Sequence, residues 1–138
     1  MALILDTGPL YAALDRRDRD HVRCRRLIEE TDEALVIPSP VLPEVDYLAS
    51  ERLGPAPMIA LVRDIEVGAY RVEDLSPGDY ARAREIMDRY SDADIGFVDA
   101  SVVSVAERLR EPKLATLDRR HFSVIRPRHV DAIEILPS

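Results

Sequence analysis

The sequence contains few of the residues that would anchor a protein in a membrane or hold it together by cross-links. Cys24 is the only cysteine in 138 residues, which excludes an internal disulfide framework and a cysteine-rich zinc site. No apolar run approaches the ~20 residues that a membrane helix needs. The first apolar run meets Asp6 after five residues, too early for a secretory signal. We therefore expect a soluble, cytoplasmic protein that does not bind membranes.

Basic charge is also scarce. Nineteen Lys and Arg residues stand against twenty-six Asp and Glu residues, which gives a net charge of −7 at pH 7, and Lys113 is the only lysine. Proteins that hold nucleic acid by charge alone are usually basic. A role on nucleic acid therefore needs a local basic patch or bound cations. A hydrophobic content of 46% nevertheless indicates a folded globular chain.

Short apolar runs alternate with amphipathic stretches along the whole chain. The pattern predicts strands at 2–5, 34–37, 70–75, 114–118 and 132–136. It predicts helices beginning near Pro9 and Pro40 and further helices over 21–30, 58–65, 77–90 and 97–110. Alternation of this kind predicts an α/β fold, a three-layer α/β/α sandwich with a mainly parallel central sheet. No linker or repeat interrupts it, so we expect a single domain over residues 1–138.

Four acidic residues are placed where a parallel sheet collects its ligands. Asp6 and Asp118 each end a predicted strand, while Glu44 and Asp99 lie in the first turns of predicted helices. Ligands of open parallel sheets bind beyond the carboxyl ends of the strands, where helices also begin. The four carboxylates are therefore expected to converge, although each by itself is also explained as a helix cap. Asp92 and Asp94, in the loop before Asp99, are candidates to replace it or assist it.

Carboxylates this close together repel, and crowding raises the pKa of at least one of them. Mg²⁺ and Mn²⁺ resolve the conflict because they prefer carboxylate and water oxygens. His21, His121 and His129 show no ligand spacing, and His121 is expected to be structural, so we predict an oxygen-only site. Such ions activate water and neutralise phosphate charge in phosphodiester cleavage.

Four segments resemble the PIN domain family in the order in which that family carries them. The opening LILDTGPL resembles its first motif and VLPEV its second. FVDAS resembles the third and ATLDRRHF the fourth. These segments lie at 3–10, 41–45, 97–101 and 115–122. Within this family, a chain of this small size without extra domains most resembles toxins of the VapC type.

The resemblance implies a divalent-metal-dependent endoribonuclease that acts as the toxin of a toxin–antitoxin pair. It implies that Asp6, Asp99 and Asp118 hold Mg²⁺ or Mn²⁺, while Glu44 completes the catalytic set and positions or deprotonates the attacking water. It also implies an RNA substrate, a cognate antitoxin and a homodimer.

Two arginine-containing segments near the predicted edge are candidates for phosphate contacts, which position RNA without reading its sequence. They are Arg16-Arg17-Asp18-Arg19 and Arg119-Arg120. A solvated charged surface is the alternative, and it applies to the first segment as readily as RNA contact does.

The sequence is also compatible with two other functions. A non-catalytic PIN-like module would keep the fold and bind a partner or RNA without cutting. A small phosphatase or phospho-acceptor domain would use Asp6 as an aspartyl-phosphate site. Against the latter, no second Asp follows Asp6 two residues later, and Lys113 precedes a predicted strand instead of ending one.

Overall fold

The computed structural model describes all residues from Met1 to Ser138. Five strands alternate with seven α-helices and one short 3₁₀ turn, Ser91–Ala93. The strands are β1 Ala2–Leu5, β2 Ala34–Pro38, β3 Arg71–Glu73, β4 Lys113–Ala115 and β5 Glu134–Leu136. The helices are α1 Thr7–Leu14, α2 His21–Glu30, α3 Val41–Leu53, α4 Ala56–Glu66, α5 Pro77–Arg89, α6 Phe97–Leu109 and α7 Arg119–Val124.

All neighbouring strands pair in parallel, in the order β3-β2-β1-β4-β5. Leu3 lies opposite Leu35 of β2, and Leu5 lies opposite Ala115 of β4. β1 is thus the central strand, and the chain winds outward from it in both directions. The strand order reverses between β1 and β4, so the carboxyl ends of these two strands border the crevice where such sheets bind ligands.

The winding direction places helices on both sides of the sheet. Crossovers between parallel strands are right-handed in nearly all proteins. The connections from β1 to β2 and β3 carry α1 to α4, which pack on one another, and those from β3 to β4 and β5 carry α5, α6 and α7. Because these two sets of crossovers run in opposite directions, the helices cover opposite faces. The expected three-layer α/β/α sandwich with a parallel sheet is confirmed.

The core is made from the strands and from the long apolar stretch of α6. Every residue of α6 from Ala100 to Ala106 is buried, as is all of β1. The core cluster of 22 residues joins strands β1, β2 and β4 to helices from both layers. A helix buried this deeply fixes the position of its first turn, and that turn carries Asp99.

The predicted elements are all present, with shorter outer strands. β3, β4 and β5 each have three residues, against the five or six that the apolar runs predict. The sequence pattern did not predict α7, which begins directly after Asp118 and buries Phe122. None of the seven helices has the length and apolar character needed to span a bilayer.

Candidate active site at the carboxyl edge of the sheet

Asp6 and Asp118 are held together at the carboxyl ends of β1 and β4. The backbone amide of Asp6 donates to the carbonyl of Ala115, so β1 and β4 remain paired up to the first of these acids. The buried hydroxyl of Thr116 donates to Asp6 Oδ2 at 2.8 Å and accepts from the Asp118 amide at 3.0 Å. One threonine thus ties a buried carboxylate to the turn that presents the second.

Asp99 reaches the same place from the first turn of α6. Its Oδ2 atom lies 3.0 Å from Nδ1 of His121, which in turn lies 2.9 Å from Asp118 Oδ2. Asp118 also caps α7, because its Oδ1 atom accepts from the His121 amide at 3.0 Å. One donor atom from each of these three half-buried side chains lies within 4.8 Å of the other two.

Glu44 enters from the first turn of α3, on the exposed side of the pocket. Its Oε1 atom accepts a 2.6 Å hydrogen bond from the hydroxyl of Thr7, the residue that follows Asp6. The second carboxylate oxygen of Glu44 has no hydrogen bond within the protein. One pocket therefore contains the four carboxylates of Asp6, Glu44, Asp99 and Asp118. Asp6 is buried, Asp99 and Asp118 are half-buried, and Glu44 is exposed.

Asp94 is not brought into this pocket. It ends the 3₁₀ turn in a left-handed conformation with φ of 63°, and its side chain is exposed. It makes no hydrogen bond to the pocket residues. Of these two acids, only Asp99, in the first turn of α6, lies in the pocket.

Burial and mutual repulsion change the acidity of the pocket. Burial raises the pKa of Asp6 from 3.8 to about 7, with smaller contributions from the charges of Asp99 and Glu44, while the Thr116 hydrogen bond acts in the opposite direction. Burial also raises the pKa of Asp99, and the charge of Asp118 adds to the effect. The raised pKa values show that the ionised carboxylates are poorly stabilised by their surroundings. A cation in the pocket would stabilise the ionised forms.

His121 lies beside the acidic pocket, between Asp99 and Asp118, where the sequence analysis did not place it. The spacing that brings His121 to the pocket joins a histidine to an acid, not one histidine to another. Asp118 and His121 are three residues apart, a spacing that puts two side chains on one face of a helix. The pattern Asp-x-x-His after a strand would have found it.

The arginine segments have different surroundings. The Arg119 guanidinium donates to the carbonyls of Pro137 at 2.7 Å and Ile135 at 3.4 Å, so it fastens the C-terminal strand. Arg120 is exposed and has no such bond. Arg16 is exposed as well, and Arg19 lies 3.6 Å from Asp20.

The chemistry of the donor set fits a divalent cation. Oxygen donors from several elements meet at the switch point of the sheet, and burial leaves one of them with a pKa of about 7. Hard cations such as Mg²⁺ and Mn²⁺ take carboxylate oxygens. The fold and the pocket together define a class of protein, a parallel α/β domain with an acidic centre suited to metal-assisted hydrolysis.

Comparison with known proteins identifies the family within this class. The family model of the PIN domain matches residues 3–126. The chain is 36% identical over 125 residues to ribonuclease VapC26 of Mycobacterium tuberculosis, covering 91% of this chain and 93% of that protein. The chain therefore belongs to the PIN domain family, among the ribonucleases of the VapC type.

Solved structures share the fold. The VapC20 toxin of Mycobacterium tuberculosis, described as cleaving the sarcin-ricin loop, superposes with a TM-score of 0.75 at 22% identity, covering 81% of this chain and 86% of that chain. The DNA-bound VapBC complex of Salmonella typhimurium contains a chain with a TM-score of 0.69 at 20% identity, covering 98% of this chain and 96% of that one. At these identities the likeness concerns the fold alone.

Proposed function

We propose that this chain acts as a single PIN-like domain over residues 1–138, a divalent-metal-dependent endoribonuclease that hydrolyses RNA phosphodiester bonds in the cytoplasm. In this role it is the toxin of a toxin–antitoxin pair. The observation that carries the proposal is the convergence of Asp6, Glu44, Asp99 and Asp118 on one edge of the sheet. These are the four positions that match the family's acidic motifs.

Asp6, Asp99 and Asp118 are the residues that would hold the catalytic Mg²⁺ or Mn²⁺. The bound ion would neutralise phosphate charge and lower the pKa of water. Thr116 keeps Asp6 and the Asp118 turn in place, since its hydroxyl bonds to both. Asp6 follows β1, Asp99 lies in α6 and Asp118 follows β4, so the position of each of these side chains depends on the folded sheet.

Glu44 is suited to handle the proton of the attacking water. It is exposed, and Thr7 holds one of its oxygens while the other is free. The free oxygen takes a proton as the water oxygen bonds to phosphorus. The bond from phosphorus to the leaving oxygen breaks, and that oxygen keeps the electron pair and takes a proton from solvent. Thr7 therefore acts as a positioning residue for Glu44.

The RNA backbone needs positive charge beside an acidic pocket. Arg120 is suited to contact RNA phosphates, since it follows Asp118 by two residues and its guanidinium has no hydrogen bond within the protein. Arg16 and Arg17 are exposed beyond α1 and offer a second set of phosphate contacts. Arg119 contributes less, because it binds the C-terminal strand.

A cognate antitoxin and a second copy of this chain are the proposed protein partners. Large apolar side chains on α3 and α4 are exposed: Tyr47 by 67%, Ile59 by 55% and Val62 by 52%. Exposed apolar side chains on two helices that pack together favour an interaction surface, and we assign this surface to an apolar segment of the antitoxin. Tyr80 and Phe97 stack with ring centroids 6.2 Å apart and remain exposed, which supports their use in the homodimer.

Cleavage of total RNA and of purified tRNA by the isolated protein tests the proposed activity. The assay compares Mg²⁺, Mn²⁺ and EDTA for the wild type and for Asp99→Asn. We expect discrete products that need metal and are absent with Asp99→Asn. Cleavage that persists in the variant would contradict the assigned site. Absence of both cleavage and metal binding in the wild type would instead favour a non-catalytic binding module.

A further inference from the structure

We propose that His121 is a direct ligand of the catalytic cation through Nδ1, and that this nitrogen makes the site prefer Mn²⁺ to Mg²⁺. The inference rests on the proposed metal site and goes beyond it, because it adds a ligand of a different element and selects between the two ions. The structural basis is the position of one ring nitrogen between two carboxylate oxygens.

The distances around His121 match the spacing of donors on one cation. Nδ1 lies 3.0 Å from Asp99 Oδ2 and 2.9 Å from Asp118 Oδ2. Adjacent ligands of an octahedral ion with bonds of ~2.1 Å lie about 3.0 Å from each other. The nitrogen therefore has the separation from both oxygens that neighbouring corners of one coordination sphere require.

The ring is fixed in this position by the backbone of α7. Asp118 caps the helix through Oδ1, which leaves its Oδ2 atom directed at the ring of the residue three positions later. Phe122, the next residue, is 2% exposed and anchors the helix in the core. The imidazole thus faces the pocket because of how α7 begins, and no rearrangement of the chain is needed to bring it there.

The chemistry of the three atoms favours a shared cation. The lone pair of a ring nitrogen that lies within 3.0 Å of two carboxylate oxygens repels theirs unless a proton or a cation lies between them. The other ring nitrogen, Nε2, has no hydrogen bond within the protein. In the neutral tautomer that carries its proton on Nε2, the unprotonated Nδ1 offers a lone pair to a cation.

A nitrogen ligand distinguishes between the two cations. Mg²⁺ takes oxygen ligands and keeps several waters. First-row transition ions accept imidazole as well, with affinities that rise from Mn²⁺ onward. A site with three carboxylates and one imidazole therefore gains more from Mn²⁺ than an all-carboxylate site would. The ratio of the dissociation constants for Mg²⁺ and Mn²⁺ therefore indicates whether the nitrogen is a ligand.

The test uses electron spin-echo envelope modulation of the full-length protein loaded with Mn²⁺. We expect modulation from a directly bonded ¹⁴N nucleus in the wild type and its loss in His121→Asn, which replaces the nitrogen donor by an amide oxygen. His21→Ala is the matched control, because the His21 ring is bonded to the Ala12 carbonyl. The control must keep the nitrogen signal.

Calorimetric titration with Mn²⁺ and with Mg²⁺ gives the second readout. We expect His121→Asn to lower the preference for Mn²⁺ by ~10-fold while still binding Mg²⁺. Circular dichroism of the variant verifies folding, and His121→Ala provides a second substitution without a ligand atom. Bound Mn²⁺ without a nitrogen signal in the wild type, or an unchanged preference in both variants, would overturn the inference.

The metal measurements separate this inference from the proposed activity. A nitrogen signal without RNA cleavage would retain the His121 ligand and remove the ribonuclease assignment. RNA cleavage with bound Mn²⁺ but no nitrogen signal would retain the activity and remove the ligand. If neither ion binds the wild type, both the inference and the metal-dependent mechanism are wrong.

Discussion

The hydroxyl of Thr116 donates a 2.8 Å hydrogen bond to the carboxylate of Asp6, across 110 positions of sequence. The same oxygen accepts from the amide of Asp118. Thr116 is 1% exposed and Asp6 is 6% exposed, so their hydrogen bond is shielded from solvent. The geometry of the pocket therefore depends on a side chain that is not itself expected to touch metal or RNA.

Replacing this hydroxyl should weaken metal binding. Thr116→Val keeps the branched shape and removes both hydrogen bonds, and the loss should further raise the pKa of Asp6 because that bond lowers it. We expect the dissociation constant for Mn²⁺ to rise ~10-fold in calorimetric titration. Thr31→Val at the end of α2 is the control and should bind as the wild type does. Equal affinity of Thr116→Val and wild type would remove Thr116 from the site.

Glu44 should separate catalysis from metal binding. Glu44→Gln preserves the shape and the acceptor for Thr7 but cannot take a proton. We expect RNA cleavage to fall at least ~100-fold while Mn²⁺ affinity stays nearly unchanged. Asp46→Asn, two residues further along α3, should cleave normally. A large loss of metal affinity in Glu44→Gln would instead make Glu44 a ligand.

The raised pKa of Asp6 predicts a pH-dependent stability of the metal-free protein. Between pH 3.8 and about 7 the folded state holds more protons on Asp6 than the unfolded state does. The stability that this carboxyl contributes is therefore complete below 3.8 and is lost as the pH rises through 7. In EDTA, Asp6→Asn should gain stability relative to wild type as the pH rises from 5 to 8.

Urea unfolding at four pH values between 5 and 8 measures this difference. Asp99 and the other titrating groups are present in both proteins, so the comparison isolates Asp6. Asp131→Asn, near the C-terminus, provides a control substitution of an acid outside the pocket. A difference between Asp6→Asn and wild type that does not change with pH would show that Asp6 ionises normally.

The ion-pair network between α5 and α6 should contribute to stability and not to activity. Arg108 donates to Asp79 at 2.9 and 3.2 Å and to Glu73 at 2.9 Å. Asp79 is 3% exposed, so Arg108→Met leaves a buried carboxylate without its cation. We expect the free energy of unfolding to fall by about 2 kcal/mol, since Arg108 itself is one-third exposed.

An exposed ion pair supplies the comparison for Arg108. Arg25 pairs with Glu29 on α2, and both side chains are more than half exposed. Arg25→Ala should therefore cost under ~1 kcal/mol. Urea unfolding of both variants decides the point, and an Arg108→Met protein as stable as wild type would show that the network carries no net stability.

Much of the site followed from local sequence. The apolar runs before Asp6 and Asp118 are short and end at an acid, and the carboxyl ends of parallel strands meet at one edge whatever the strand order. The prediction for Asp99 has a similar basis. A strongly apolar helix is buried, so an acid in its first turn lies at the edge of the sheet where that helix begins. These inferences need only the positions of elements along the chain.

His121 and α7 did not follow from local sequence. The six residues of α7 are too few for helical periodicity to be visible, and the helix depends on burial of Phe122 and on capping by Asp118. The ring of His121 meets Asp99 only because α6 and α7 both begin at the same edge. A contact between residues 22 apart in different elements has no signature in spacing alone.

The sequence by itself determined the elements other than α7, the parallel α/β class and the positions of the four acids at strand ends and helix starts, because apolar patterning and strand-end chemistry act over a few residues. Only the tertiary structure decided the strand order, the burial that raises the pKa of Asp6, and the nitrogen placed between Asp99 and Asp118. Desolvation and contacts between distant elements exist only once the chain is packed. For that reason the sequence predicted where the acids converge, whereas packing set the charge of the pocket and placed His121 beside it.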